Sequence, residues 1–108
     1  MEKERPKIDI DRLREIGWFA WDPLGLDGGT GIWKKESFAD EYDSYLVVVA
    51  GMLRNGEARD AIVGYLHHVE SDWMGLGPKE IDAEITRRLS RVVQAIAEDP
   101  HIWIDAQG

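Results

Sequence analysis

The chain has 108 residues, 44% of them apolar and 31% charged, with no cysteine and a net charge of -8. That length suits one domain with an ordinary core. The composition excludes a disordered chain, a disulfide scaffold, Cys-ligated zinc and a thiol nucleophile. Most of the acid excess lies between residues 22 and 77. It repels phosphate backbones and anionic membranes, and it speeds encounter with a basic protein. No apolar run approaches the ~20 residues of a membrane span, and residues 1–7 lack the apolar stretch of a secretory signal. A cytoplasmic chain is expected.

A first helix is predicted over 9–20, with Ile10, Leu13, Ile16 and Gly17 on one stripe and Asp9 or Asp11 at its start. Asp22-Pro23 ends it, because a residue before proline is pushed out of helical geometry. Residues 23–37 read as a loop. Gly25, Gly28, Gly29 and Gly31 loosen its backbone, and its apolar members Leu24, Leu26, Ile32 and Trp33 should pack back on the helices. Asp27-Gly28-Gly29 suits the turn of a short hairpin. A second helix is predicted over 39–54, apolar round most of its circumference past Ser44 and therefore buried. Asn55-Gly56 closes it.

A third helix over 57–73 carries the stripe Ala58, Ala61, Ile62, Tyr65, Leu66, Val69 and Trp73. Gly75-Leu76-Gly77-Pro78 breaks the chain. A fourth over 79–98 carries Ile81, Ile85, Leu89, Val92, Val93 and Ile96, with acids early and arginines late, an order that complements the helix dipole. Pro100 ends it, and His101–Ile104 form a short apolar tail. The expected architecture is all-α: a single domain over 1–108, a four-helix bundle with an apolar, glycine-rich loop between the first two helices and a docked C-terminal tail.

Three stretches together carry a resemblance: Trp21-Asp22-Pro23-Leu24-Gly25-Leu26, Asp40-Glu41-Tyr42-Asp43-Ser44-Tyr45, and Met74-Gly75-Leu76. Over residues 16–77 the chain resembles the YugE-like family of small, mostly uncharacterised bacterial all-helical proteins. A longer glycine-rich loop and the fourth helix with its tail depart from that pattern. The resemblance implies a helical bundle and a bacterial cytosolic source, and it implies no activity.

Several groups could carry chemistry. Asp40-Glu41-x-Asp43 reads as the acidic first turn of a helix, or as a surface for a metal or a basic partner. Asp40-x-x-Asp43 and Glu57-x-x-Asp60 each put two carboxylates on one helix face, as a Mg²⁺ site needs. The pattern faintly resembles the all-helical nucleotide pyrophosphohydrolases, with Asp/Asp where that family shows Glu/Glu. Helix rise sets these pairs roughly 20 Å apart in antiparallel helices, so only a dimer would join them. His67-His68-x-Glu70-x-Asp72 supplies half a metal site at best, or a solvated face. The loop from Gly25 to Gly31 lacks the Lys-Ser/Thr of a phosphate loop.

Five tryptophans complete the list. Trp18 and Trp21 fall off the stripe of the first helix and serve either the core or a contact patch beside Asp40, Glu41 and Asp43. The expected function is a non-catalytic protein-binding module, an immunity- or antitoxin-like inhibitor of a basic partner, without cofactor, nucleic acid or membrane. The alternatives are a Mg²⁺-dependent nucleotide phosphohydrolase assembled in a homodimer from Asp40, Asp43, Glu57 and Asp60, and a self-associating structural module.

Overall fold

The computed structural model describes residues 7–104. Helix α1 spans Ile10–Ile16 and runs on into a π turn, Gly17–Trp21. Asp9 caps it, accepting the Arg12 N–H at 3.1 Å. In the π turn the Asp22 N–H reaches back five residues to the Gly17 carbonyl. The wider turn rotates the register, and Trp18 and Trp21 both enter the core. Gly17 suits this point, because a methyl there would overlap Leu46 Cδ1 of the next helix and require that buried side chain to shift.

Helix α2 spans Asp43–Arg54, four residues shorter than predicted. Residues 36–42 form successive turns instead, from the Ala39 N–H to Glu36, Glu41 to Phe38 and Asp43 to Asp40. Trp18 fastens this segment by donating its indole N–H to the Ala39 carbonyl at 2.8 Å. The helix is also less buried than its composition suggests. Leu46, Val49 and Ala50 face the core, while Val47 and Val48 are exposed. One face suffices because the other three helices all lie on the core side.

Helix α3 spans Arg59–His68 and ends in a second π turn, Val69–Trp73. The Met74 N–H closes that turn on Val69, and Gly75, at positive φ, lets the Leu76 N–H return to Glu70. Trp73, placed on the core stripe by its spacing, is instead 56% exposed, since the π turn carries it past the core face. Helix α4 spans Ala83–Glu98. Asp82 caps it through the Ile85 N–H at 2.8 Å, so residues 79–82 stay non-helical and Ile81 remains outside.

The tail docks on the core. Ile102 is buried, and β2 (Trp103–Ile104) pairs antiparallel with β1 (Lys7–Ile8), in the register Lys7 with Ile104 and Ile8 with Trp103. This two-stranded sheet of two residues each is an addition to the expected helical architecture. The described residues are mostly helical, with four helices around one core and a small clasp joining residues 7–8 to residues 103–104. Among the described residues no helix is long and apolar enough to cross a membrane.

Candidate functional site

The loop after α1 is shaped by two aspartates, not by a hairpin. Asp22 sits in left-handed geometry at φ 32°, rare for a residue with a side chain. Its carboxylate accepts the N–H groups of Leu26, Asp27 and Gly28 at 3.0–3.1 Å and the Tyr42 hydroxyl at 2.8 Å. Tyr42 in turn accepts the Leu24 N–H. Burial pushes the Tyr42 phenol well above its ordinary value; the Leu24 donor opposes this and the Asp22 carboxylate adds to it. Asp27, 6% exposed, organises the second half by accepting the Gly31 and Trp33 N–H groups at 3.0 and 2.9 Å, with the Thr30 hydroxyl. Burial raises the Asp27 pKa, but these donors outweigh it and the net shift is downward.

That arrangement disposes of the phosphate-loop question by structure. The amides a phosphate would need already point at the protein's own carboxylates. It also fixes Trp33 against Trp18, the two rings stacked at 5.9 Å and 7°.

Between α1 with its π turn and this loop lies an open groove of about 500 Å³, whose floor and rims include Ile16, Trp18, Phe19, Trp33 and Lys34. A second concavity of about 420 Å³ continues it past Trp33 toward Asp11 and Ala39. Phe19 stands on the rim at 95% exposure. Elsewhere in the aromatic core Trp73 is held edge-on by Tyr65 and His68 and tilted against Tyr45.

Trp18 and Trp21, offered by the sequence as contact residues, are 2% and 7% exposed. They serve the core, and Trp18 alone reaches the groove, as part of its floor. Trp21 donates its indole N–H to Glu70 at 2.7 Å, and Glu70, 6% exposed, takes both terminal nitrogens of Arg88 at 2.9 and 2.6 Å. The two π turns are thereby tied to each other and to α4. Among the described residues every buried side-chain nitrogen and oxygen has a partner.

Asp40 and Glu41 are exposed in the turns before α2. Asp43 is half-buried and gripped by the Arg14 guanidinium, 3.1 Å from Nε to Oδ1; that bond, with burial opposing, raises the Arg14 pKa. The four-carboxylate cluster does not form within the chain. Asp40 and Glu57 lie outside the helices, so neither pair shares a helical face, and α2 separates its ends by about 18 Å. Among the described residues no three His, Asp or Glu side chains are placed to hold a metal ion. His68 pairs with Asp72 at 3.0 Å, while His67 faces away to the Pro78 carbonyl. Phe19 was missed as a site residue. Its signal was there: it is the one aromatic residue of Trp18-Phe19-Ala20-Trp21 that no core-facing register can accommodate together with both indoles.

No family model, curated protein or solved structure matches the chain.

Proposed function

We propose that the protein is a non-catalytic binding module for a basic protein, and that the groove beside Phe19 is its contact surface. One observation carries the reading. A phenylalanine at 95% exposure, on a rigid turn and at the rim of an aromatic-floored groove, is costly to keep in water. Aromatic anchors of this kind concentrate binding energy. The overall net charge of -8 supplies the sign of the partner, and at the groove itself Glu15 stands with Arg12 and Lys34. An immunity- or antitoxin-like inhibitor, with the helices as a bundle-type scaffold in a bacterial cytoplasm, is the concrete form of the proposal, in keeping with the YugE-like resemblance.

The test is capture by the tagged chain from a lysate of its source cell at low and moderate salt, with bound proteins quantified by mass spectrometry. The reading expects one basic protein in stoichiometric amount, weakened by salt and lost with Phe19→Ala. Retention that is indifferent to Phe19→Ala removes the groove from the account. A folded chain that retains no basic protein removes the module reading.

A further inference from the structure

The geometry points to a redox role for the aromatic rings: they form a relay that carries an oxidising hole from the surface indole of Trp73 to the buried phenol of Tyr42. The inference is independent of the binding-module reading. Six rings follow one another through the fold. Trp73 lies 6.0 Å from Tyr45, Tyr45 6.2 Å from Trp21, Trp21 5.3 Å from Tyr42, Tyr42 4.7 Å from Trp18 and Trp18 5.9 Å from Trp33, centroid to centroid. Each spacing is that of rings in contact, so an electron passes from ring to ring without crossing aliphatic packing or solvent. Sulfur groups apart, indoles and phenols are the side chains that give up one electron most readily, and the chain has no cysteine to intercept the hole. Trp73, 56% exposed, is the member of the series that meets an oxidant in water.

Burial decides where the hole rests. A radical cation inside a core carries a charge that the apolar interior penalises, so a buried ring holds the hole well only if it sheds a proton in the same step. Two of the rings have a carboxylate in reach. The Trp21 indole donates to Glu70 at 2.7 Å and the Tyr42 hydroxyl to Asp22 at 2.8 Å, both within range of proton transfer. Glu70 also binds both terminal nitrogens of Arg88. A proton taken up there would strip that guanidinium of its counter-ion. Asp22 is held by the N–H groups of Leu26, Asp27 and Gly28, which are neutral, so no cation is left unpaired. Trp18 donates to the Ala39 carbonyl, which takes up no proton, and Lys34 stands 5.8 Å over Trp33 and repels a positive ring. The arm of the series toward the groove is therefore uphill, and Tyr42 is the sink.

One electron and one proton move. A one-electron oxidant at the surface takes an electron from Trp73 and is itself reduced. Tyr45, Trp21 and Tyr42 then each give an electron to the ring before it. At Tyr42 the O–H bond breaks and the proton passes to Asp22 Oδ1. The products are a neutral phenoxyl radical, a carboxylic acid and a restored Trp73.

Flash photolysis of the full chain tests this, with photogenerated tris-bipyridyl ruthenium(III) in solution as the oxidant. Transient absorption and electron paramagnetic resonance are the readouts. The parent should show a tryptophanyl radical that converts to a neutral tyrosyl radical at a rate independent of protein concentration. Tyr42→Phe, which keeps the ring, should abolish the conversion. Asp22→Asn, which keeps the phenol and removes the proton acceptor, should slow it at least about a hundredfold. Trp73→Phe, at an exposed position, should lower the tyrosyl yield, whereas Trp103→Phe, outside the series, should leave it unchanged. Circular dichroism checks that each variant is folded.

A tryptophanyl radical that decays with no tyrosyl radical formed overturns the relay. So does a conversion that survives Tyr42→Phe, or one whose rate scales with protein concentration. A tyrosyl yield indifferent to Trp73→Phe removes the entry point, and the path falls with it. If Tyr42→Phe fails to fold, the parent's own kinetics and the exposed Trp73→Phe variant still decide.

Discussion

Replacing Glu70 by alanine should destabilise this fold more than any other single surface-to-core change. Glu70 is 6% exposed and is the shared acceptor of the Trp21 indole and both terminal nitrogens of Arg88. Alanine leaves the Trp21 N–H, itself 7% exposed, without an acceptor, at about 1–3 kcal/mol. The Arg88 side chain is 46% exposed, and water can take over much of its hydration. The lost pair is therefore worth only about 1 kcal/mol after screening. The sum is about 3 kcal/mol, or a fall of roughly 12–24 °C in Tm for a chain of this size. Arg88→Leu alone should cost about 2 kcal/mol, because it strips a buried carboxylate of its cation while the indole remains. Urea denaturation followed by circular dichroism measures each variant. The double variant Glu70→Ala/Arg88→Leu should be less destabilised than the sum of the singles, by about 1 kcal/mol. A Glu70→Ala protein within about 0.5 kcal/mol of the parent, or strictly additive singles, would refute the coupling of the two π turns through this carboxylate.

Three more outcomes follow from the same contacts. Gly17→Ala should cost about 1–3 kcal/mol in urea denaturation, because the methyl group forces Leu46 and with it α2 outward. Asp22→Asn should cost about 2 kcal/mol and loosen the loop, seen as faster amide exchange at Leu26, Asp27 and Gly28, since one amide NH₂ would face main-chain donors. Asp27 and Asp99 both have lowered pKa values: burial raises each, and main-chain donors, with Arg12 at Asp99, outweigh it. Their contribution to stability is fully present above the ordinary Asp value of about 3.9 and is lost as pH falls through their lower folded values. Thermal melts between about pH 5 and pH 2 should show this acid loss, and Asp27→Asn should flatten it.

Four helices were legible in the sequence because periodicity reports which face is buried. Leu13, Leu46, Val49, Ile62, Leu66, Leu89, Val92 and Val93 all reach the core. The boundaries were less legible, for local reasons. Asp82 takes the cap of α4 and holds four residues out of the helix. The segment before α2 follows the Trp18 bond to Ala39 instead of its own acidic helical start. The π turns were invisible, since they arise where Gly17 meets Leu46 and where Trp21 meets Glu70, contacts between elements distant in the chain. They also explain where two tryptophans lie: Trp21 turns inward, one of the two places its spacing allowed, and Trp73 turns outward against the unbroken 3.6-residue register.

The Trp21-Asp22-Pro23-Leu24-Gly25-Leu26 stretch has a structural task here. Asp22 gathers three amides and a tyrosine hydroxyl, and the loop so formed is the groove's second wall. A sequence motif built on aspartate and glycine can thus set the shape of a site without touching a ligand. The groove itself could not be read from the chain, because it lies between α1 and a loop whose path depends on two carboxylate hubs, half-buried Asp22 and buried Asp27.

The most direct test of the account is the affinity of the captured basic partner for the parent chain and for Phe19→Ala, measured by calorimetry at one salt concentration. Burying one phenylalanine is worth about 1.5–3 kcal/mol, so the account predicts a Kd raised about 10–150-fold with an unchanged Tm. Equal affinities for the two proteins would contradict it.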